Sequence, residues 1–435
     1  MKLAYLLENY SAVQDYLFGL KAKGVKFGID RMRALAAALV NPELKVPVIH
    51  LAGTNGKGST AAMLDGILRA SGRRVGLYTS PHLVRLGERV QVDRVMLSER
   101  EIEDYTRLLV PVATELGEVD PDDHPSFFEF MTAMAFLQFE RKNCDVAVVE
   151  VGLGGELDAT NIVDPVVTAI TSIGFDHCEI LGHTHAEIAR AKAGIIKPGV
   201  PVVMGRMPME AEEVVRARAA EQGCRVYSGR EIFGESFENY PQTALVGECQ
   251  RWNAGTATLV AQALPKELAV SPAVIGEGLS GAHWPARWQQ IQMQDQMLIM
   301  DASHNPEGAE SLADNLEVLV TKLGHRPAIV VGALGAARAG SLIEVVARYA
   351  SEIYLVEPKQ ARACSRETLR KFIPESFEGE IFDARVETLF SDESRINLPR
   401  EAGTVVVTGS IYLAGEVMMK LFPESGPGEG RLQDF

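Results

Sequence analysis

His50-Leu51-Ala52-Gly53-Thr54-Asn55-Gly56-Lys57-Gly58-Ser59-Thr60 is the stretch on which the reading of this chain turns. The residues before it, Val46–Leu51, read as a buried strand. Those after it, Ser59–Ala70, place Met63, Leu64, Ile67 and Leu68 on one side at helical spacing. Glycines between a strand and a helix let the backbone curl until several N–H groups face one anion, and the helix N-terminus adds its positive dipole end. Lys57 can reach terminal phosphates, and Ser59 or Thr60 can offer a hydroxyl to Mg²⁺. The strict Gly-x4-Gly-Lys-Ser/Thr pattern fails, because Leu51 stands at its first glycine and Gly58 follows the lysine. A ligand-free glycine turn is the alternative. The strand before and the helix after favour a nucleotide loop.

Working outward, apolar strands alternate with amphipathic helices, which predicts an α/β fold with a largely parallel sheet. Val75–Tyr78, Asp145–Val151, Val166–Ile173 and Gly199–Met204 read as strands. Residues 205–283 are harder to read; weak strands and a helix around Asn253–Leu264 are expected there. A second series follows: strand 297–301, helix 306–323, strand 328–332, helix 341–350, strand 353–356, strand 404–408 and helix 411–421. At 435 residues two cores are expected, since single ones rarely exceed about 300 residues. The domains fall at 1–284, an ATP-binding P-loop domain with a mostly parallel sheet, and 285–422, a smaller Rossmann-like α/β domain. A hinge is placed at 281–287, and the Gly-, Pro- and charge-rich tail 423–435 reads as disordered.

Composition narrows the classes. A net charge of −15 argues against a broad nucleic-acid surface. No apolar run reaches the ~20 residues of a membrane span, and Glu8 ends the N-terminal apolar stretch too early for a signal peptide. Five scattered cysteines without Cys-x-x-Cys spacing point to a reducing cytoplasm rather than a disulfide framework or zinc site. A monomer acting on small molecules is expected.

Two further places carry chemistry. Glu150 ends a nearly continuous apolar strand, where a carboxylate is costly unless a cation or hydrogen bond meets it, and His177 lies just past the next strand. Open parallel sheets collect ligands beyond the carboxyl ends of their strands, where the glycine loop also lies. A salt-bridged strand end and a turn-capping histidine are the plainer reading of this pair. Lys192 sits in an Ala-rich helical segment, 186–196, where shielding from water would lower its pKa. His183 and His185 read as loop or surface residues.

Gly-Thr-Asn-Gly-Lys-Gly-Ser resembles the ATP loop of the folylpolyglutamate synthase and dihydrofolate synthase family, within the Mur ligase superfamily. The resemblance runs through Phe27-Gly-Ile-Asp-Arg-Met32, Thr79-Ser-Pro-His-Leu83, Glu88-Arg89 and Phe128-Glu129. It continues through Glu150-Val-Gly-Leu-Gly-Gly155, Leu157-Asp-Ala-Thr-Asn161, Ile170-Thr-Ser-Ile-Gly174, Asp176-His177 and Lys192-Ala-Gly-Ile-Ile-Lys197. In the second unit it takes in Trp284-Pro-Ala-Arg287, Asp301-Ala-Ser-His-Asn-Pro306 and Gly409-Ser-Ile-Tyr412. It implies an ATP-dependent ligase that couples a carboxylate of dihydropteroate or a folylpolyglutamate to L-glutamate, in folate and one-carbon metabolism. It also implies ATP on Thr54, Asn55, Gly56, Lys57, Gly58 and Ser59, met across a cleft by Asn253, Arg287, Asp301 and His304. Ser80, Glu150 and His177 would hold Mg²⁺, and Lys192, carbamylated by CO₂, a second ion. Catalysis would rest on Lys57, Lys192, His177 and Arg287. The pterin would lie on Gly19, Leu20, Lys21, Ala22, Ser126, Phe127, Phe128, Glu129, Leu157, Asp158 and Ala159. Phe128 could stack on its ring, and Asp158 could accept its N–H groups; helix core is the plainer reading of the phenylalanines.

The chain departs from the family in two places. Glu156 stands where the family commonly has Arg, and Gly335-Ala-Ala-Arg-Ala339 replaces an Asp-Lys-Asp, so charge contacts are expected to be missing there. A Mur-type ligase for another carboxylate and a degenerate nucleotide-binding homologue are the rival functions.

Overall fold

A computed structural model describes residues 9–21, 28–391, 395–398 and 403–422. Ala22, Phe27, the first eight residues and the 423–435 tail lie outside them, as does the side chain of Lys21. The first sheet has eight strands: β1 (Val48–Ala52), β2 (Val75–Tyr78), β3 (Val90–Val92), β4 (Val95–Met96), β5 (Val146–Glu150), β6 (Pro165–Ile170), β7 (Val202–Met204) and β8 (Val226–Ser228). Their order is β4-β3-β2-β5-β1-β6-β7-β8. All neighbours from β2 to β8 are parallel, whereas β2–β3 and β3–β4 are antiparallel. Parallel strands need crossovers, and the helix Lys57–Ala70 supplies the one from β1 to β2, which flank β5.

β1 lies between β5 and β6 in register, with Leu51 beside Glu150 and Ala52 beside Ile170. The glycine loop, Glu150 and the Thr171–His177 segment therefore leave the sheet side by side at one edge. Met63, Leu64, Ile67 and Leu68 of the Lys57–Ala70 helix are fully buried, each contributing roughly 1.5–3 kcal/mol of apolar burial. That helix touches the helix Pro272–Ser280 backbone to backbone, since a Cβ on Gly66 would meet the Gly278 carbonyl at 2.8 Å. The helix that follows the glycine loop is thus held between the sheet and the helix Pro272–Ser280.

The second sheet comprises β9 (Gln289–Met293), β10 (Gln296–Met300), β11 (Ala328–Val331), β12 (Glu352–Leu355), β13 (Glu380–Asp383) and β14 (Thr404–Thr408). Its order is β13-β12-β11-β14-β10-β9, parallel throughout except for the β9–β10 hairpin. β9 was not expected, because Gln289-Gln-Ile-Gln-Met293 is a polar edge strand with only one strand neighbour. β3, β4 and β13 are likewise short or exposed elements whose pattern is too weak to read. In residues 205–283 the sheet gains only β8, and the expected helix starts earlier, at Glu248. The helix expected at 341–350 begins at Ala336 and takes in the Gly335–Ala339 departure, because Ala-Ala-Arg-Ala favours a helix. Among the described residues, no helix is long and apolar enough to cross a membrane.

Candidate active site

The glycine loop is shaped by the strand beside it. Ser172 accepts the Asn55 N–H through its Oγ at 2.9 Å and the Thr54 N–H through its carbonyl at 2.9 Å. Thr171 and Ser172 hydroxyls both donate to the Asn55 carbonyl, at 2.6 and 3.0 Å. A Cβ at Gly53 would collide with Thr171 Oγ1, and one at Gly56, where φ is +82°, with the Asn253 amide. These glycines make room for their braces. Gly58 has another reason: a Cβ there would lie 2.9 Å from the indole Nε1 of Trp284. The residue breaking the strict phosphate-loop pattern is where the linker between the two sheets packs on the loop.

The linker is pinned on that side. Arg94 pairs with buried Asp65 at 2.8 Å, donates to the His283 carbonyl at 2.6 Å and lies 5.3 Å over the Trp284 ring. From Ala286 onward the linker is held by the second unit: Trp288 N donates to Asp301 Oδ2 at 3.1 Å, and Ala302 N to the Ala286 carbonyl at 3.0 Å. Ala286 and Trp288 hold positive φ values of 54° and 50°. These anchors leave Pro285 between them, within the 281–287 segment expected as a hinge, and the backbone around Arg287 is bonded to the second unit.

A cavity of about 810 Å³ opens on the loop. It is lined by Thr54, Asn55, Gly56, Lys57, Gly58 and Ser59, and by Ser80, Glu150, His177 and Lys192 from neighbouring strand ends. Asn253, Arg287, Asp301 and His304 complete it. Every expected nucleotide and metal residue thus reaches one cavity.

Its electrostatics are those of a crowded, half-dry pocket. Burial pushes Glu150 up to about 7 against the pull of Lys57, whose ammonium lies 3.9 Å from its Oε1. Burial, helped by Lys57, brings Lys192 down to about 7, and its ammonium donates to the Gly53 carbonyl at 3.0 Å. Lys57 folds back onto its own loop, donating to the carbonyls of Gly53 and Thr54 at 2.9 and 3.1 Å. Burial likewise lowers His177 to about 4 despite Asp176, so its ring is neutral at pH 7 with a lone pair to offer. His177 sits at φ +51°, a strained position that sets its ring just past β6.

Do these groups fit a divalent cation? Glu150 Oε2 and Ser80 Oγ are buried without a hydrogen-bond partner, as are Ser59 Oγ and Thr60 Oγ1. Unpartnered buried oxygens at the mouth of an anion-binding loop suit a hard, oxygen-seeking ion. Among the described residues no group of three or more His, Cys, Asp or Glu side chains converges. Hydroxyl, phosphate and water oxygens would have to complete the shell.

The residues expected around the pterin do not line this cavity, and much of their polarity is engaged. Ser126 caps the helix Phe127–Arg141 and forms a reciprocal capping box with Glu129, which also pairs with Arg31 at 3.3 Å. Phe127 is buried between Phe18, 6.0 Å away between ring centres, and the Arg89 guanidinium at 5.2 Å. Phe128 is half-buried beside Tyr78, Leu20 is buried, and Leu157 is half exposed. Asp158 corrects the expectation of a free acceptor. Its Oδ2 accepts from Gly152 N and Leu153 N, and its Oδ1 from the N–H and hydroxyl of Thr160, all within 2.5–3.0 Å. A carboxylate has about four acceptor sites, and the loop takes them all. Buried His50 continues the chain of contacts, 2.8 Å from Thr160 Oγ1.

The Gly152–Gly155 glycines also find their purpose here. A Cβ at Gly155 would lie 2.8 Å from the carbonyls of Ala191 and Lys192, so the loop docks on the Lys192 helix. His185, read as a surface residue, stacks on Phe175 at 4.3 Å and lines the cavity. The other residue missed was Arg338. Its Nη2 lies 2.7 Å from Asp176, so the 335–339 departure does carry a charge contact. A lone cation among Gly and Ala was the available signal. Glu156 is exposed and does not line the cavity, although its N–H donates to the Ala191 carbonyl at 3.0 Å, beside Lys192.

The Mur ligase middle domain family matches residues 51–231. The folylpolyglutamate synthase of Lacticaseibacillus casei is 32% identical, over 95% of this chain and 99% of that one. This chain belongs to the folylpolyglutamate synthase/dihydrofolate synthase family. The Thermotoga maritima folylpolyglutamate synthase structure superposes with a TM-score of 0.80 at 32% identity, covering 97% of this chain and 98% of that one. The bifunctional folylpolyglutamate synthase/dihydrofolate synthase of Yersinia pestis, solved with AMPPNP and a Mn ion, gives a TM-score of 0.79 at 32% identity, over 95% and 98% of the two chains. Both structures thus share the overall two-sheet fold of this chain.

Proposed function

We propose that this protein is an ATP-dependent ligase joining the carboxylate of dihydropteroate, or of a folylpolyglutamate, to the amino group of L-glutamate. The observation that carries the reading is the meeting, in one cavity, of the braced glycine loop, half-buried Lys57, desolvated Lys192, the unpartnered Glu150 and Ser80 oxygens, and Arg287 from the second unit. A free carboxylate is a poor acyl donor. In the first step its oxygen attacks the γ-phosphorus of ATP, the bond to the β-phosphate oxygen breaks, and ADP leaves. In the second the glutamate nitrogen attacks the acyl carbon, the carbon–oxygen bond to phosphate breaks, and the nitrogen sheds its proton.

The loop N–H groups and the start of the Lys57–Ala70 helix would hold the phosphate chain, with Lys57 turning from its own carbonyls to the γ-phosphate. Arg287 would meet the charge that develops on the transferred group. Ser80, Glu150 and His177 would hold Mg²⁺, which supplies charge neutralisation when bound. Lys192, buried and easily deprotonated, suits carbamylation by CO₂, which would make it an anionic ligand. Asn253, Asp301 and His304 would frame the nucleotide, while Phe128 and the 157–159 loop would meet the pterin. The five unpaired cysteines support a reducing cytoplasmic setting.

A substrate panel tests the reading. ADP release with glutamate is expected to require dihydropteroate or a reduced folate. Stimulation by neither acid would overturn the folate assignment.

A further inference from the structure

Asp176, one residue before His177, is reached from the second unit by three side chains. Arg338 Nη2 lies at 2.7 Å, Asn305 Nδ2 at 3.3 Å and His304 Nε2 at 3.7 Å. Asn305 also forms a two-way amide pair with Asn55 of the glycine loop, donating at 2.9 Å and accepting at 3.2 Å. Beside them Glu307 accepts the Phe175 N–H at 2.8 Å, occupying the space where Gly174 lacks a Cβ. These contacts join the first turns of the helices Pro306–Leu323 and Ala336–Tyr349 to the 174–177 turn and the glycine loop.

The chain crosses from one sheet to the other once, through the pinned linker around Pro285. Where the second unit rests is therefore decided by side chains meeting across the cleft. Among these, Arg338 and Asp176 form the close ion pair, with side chains 23% and 11% exposed, enough burial to keep the pair from being merely a solvated one. The guanidinium holds its direction better than a flexible ammonium would. Arg338 comes from the 335–339 segment, the second of the two departures in the sequence.

We infer that Arg338 is a positioning residue: it clasps the second unit onto the Asp176 turn and so sets Arg287, Asp301 and His304 against Lys57 and Glu150. The kinetic consequence rests on the ligase reading of the site; the clasp itself does not.

The experiment measures both on the full chain. Small-angle scattering with Mg²⁺ and a non-hydrolysable ATP analogue reads closure, and steady-state ADP release reads its effect on turnover. Arg338→Ala is expected to keep a larger radius of gyration than the unaltered protein. Its kcat should fall roughly tenfold or more, with KM for ATP changed less than about threefold. Arg338→Lys should recover part of both. In a double-mutant cycle, Arg338→Ala added to Asp176→Asn should reduce kcat little further. Unaltered compaction with Arg338→Ala, or losses that multiply in the cycle, would overturn the clasp. If no pteroate or folate supports turnover even in the unaltered protein, the ligase reading fails, while the scattering comparison still decides the clasp.

Discussion

The wall of the cavity built on the glycine loop and the region around Ser126 and Asp158 are both rich in polar residues, yet they differ in what those residues already hold. On the loop side Ser59, Thr60, Ser80 and Glu150 each keep a buried oxygen without a partner. Around Asp158 the four acceptor sites are filled by Gly152, Leu153 and Thr160, and Ser126 and Glu129 cap each other across a helix start, with Glu129 Oε1 left to the charge of the Arg31 guanidinium at 3.3 Å. Unmet buried polarity is costly and persists where a ligand completes it. The first region is poised for a charged ligand. The second is a scaffold that offers shape, through Phe128 and the half-exposed Leu157, more than hydrogen bonds.

The sharpest break of this contrast is Lys57→Ala. It should lower kcat for ADP release at least ~100-fold. Retained amide formation would remove the loop from the chemistry. Next comes Lys192. Burial holds its ammonium near pH 7, so the neutral amine, the form that takes up CO₂, grows as pH rises through about 7. ¹³C-bicarbonate labelling of this residue should follow that rise, and a flat profile would refute it. Stability should also climb from about pH 7 towards the ordinary lysine value of about 10.4, because over that window the unfolded chain binds a proton the folded one has released. The smallest effect separates the two regions most cleanly. Asp158→Asn should destabilise the protein by about 1–3 kcal/mol, because an amide cannot accept all four bonds. Phe128→Ala should instead raise KM for the pterin substrate several-fold, leaving KM for ATP unchanged. If Asp158→Asn alters that KM while melting stays constant, Asp158 is a ligand contact after all.

Much of the fold was legible. β2, β14 and the helices at 306–323 and 411–421 fall where periodicity and flanking signals put them. The misses follow from weak local patterning: polar edge strands such as β9 lack an alternating apolar face, and an Ala-rich loop was free to wind into a helix. The glycine loop, Glu150 and His177 were legible because they lie at strand ends, where ligands of open parallel sheets collect; Ser80, Asn253, Arg287, Asp301 and His304 came only from the family resemblance.

The sequence by itself determined the alternation of strands and helices, the phosphate-binding loop, and the chemistry available at Glu150, His177 and Lys192. These are properties of neighbouring residues, set by backbone freedom and side-chain type. Only the tertiary structure decided that Gly58 makes room for Trp284, that Asp158 is already fully engaged, and that Arg338 answers Asp176. Such partners are brought together by sheet crossovers; Asn55 and Asn305 lie 250 positions apart. A pairing over that distance leaves no mark on the local pattern, because neither residue's neighbours need change for it to form.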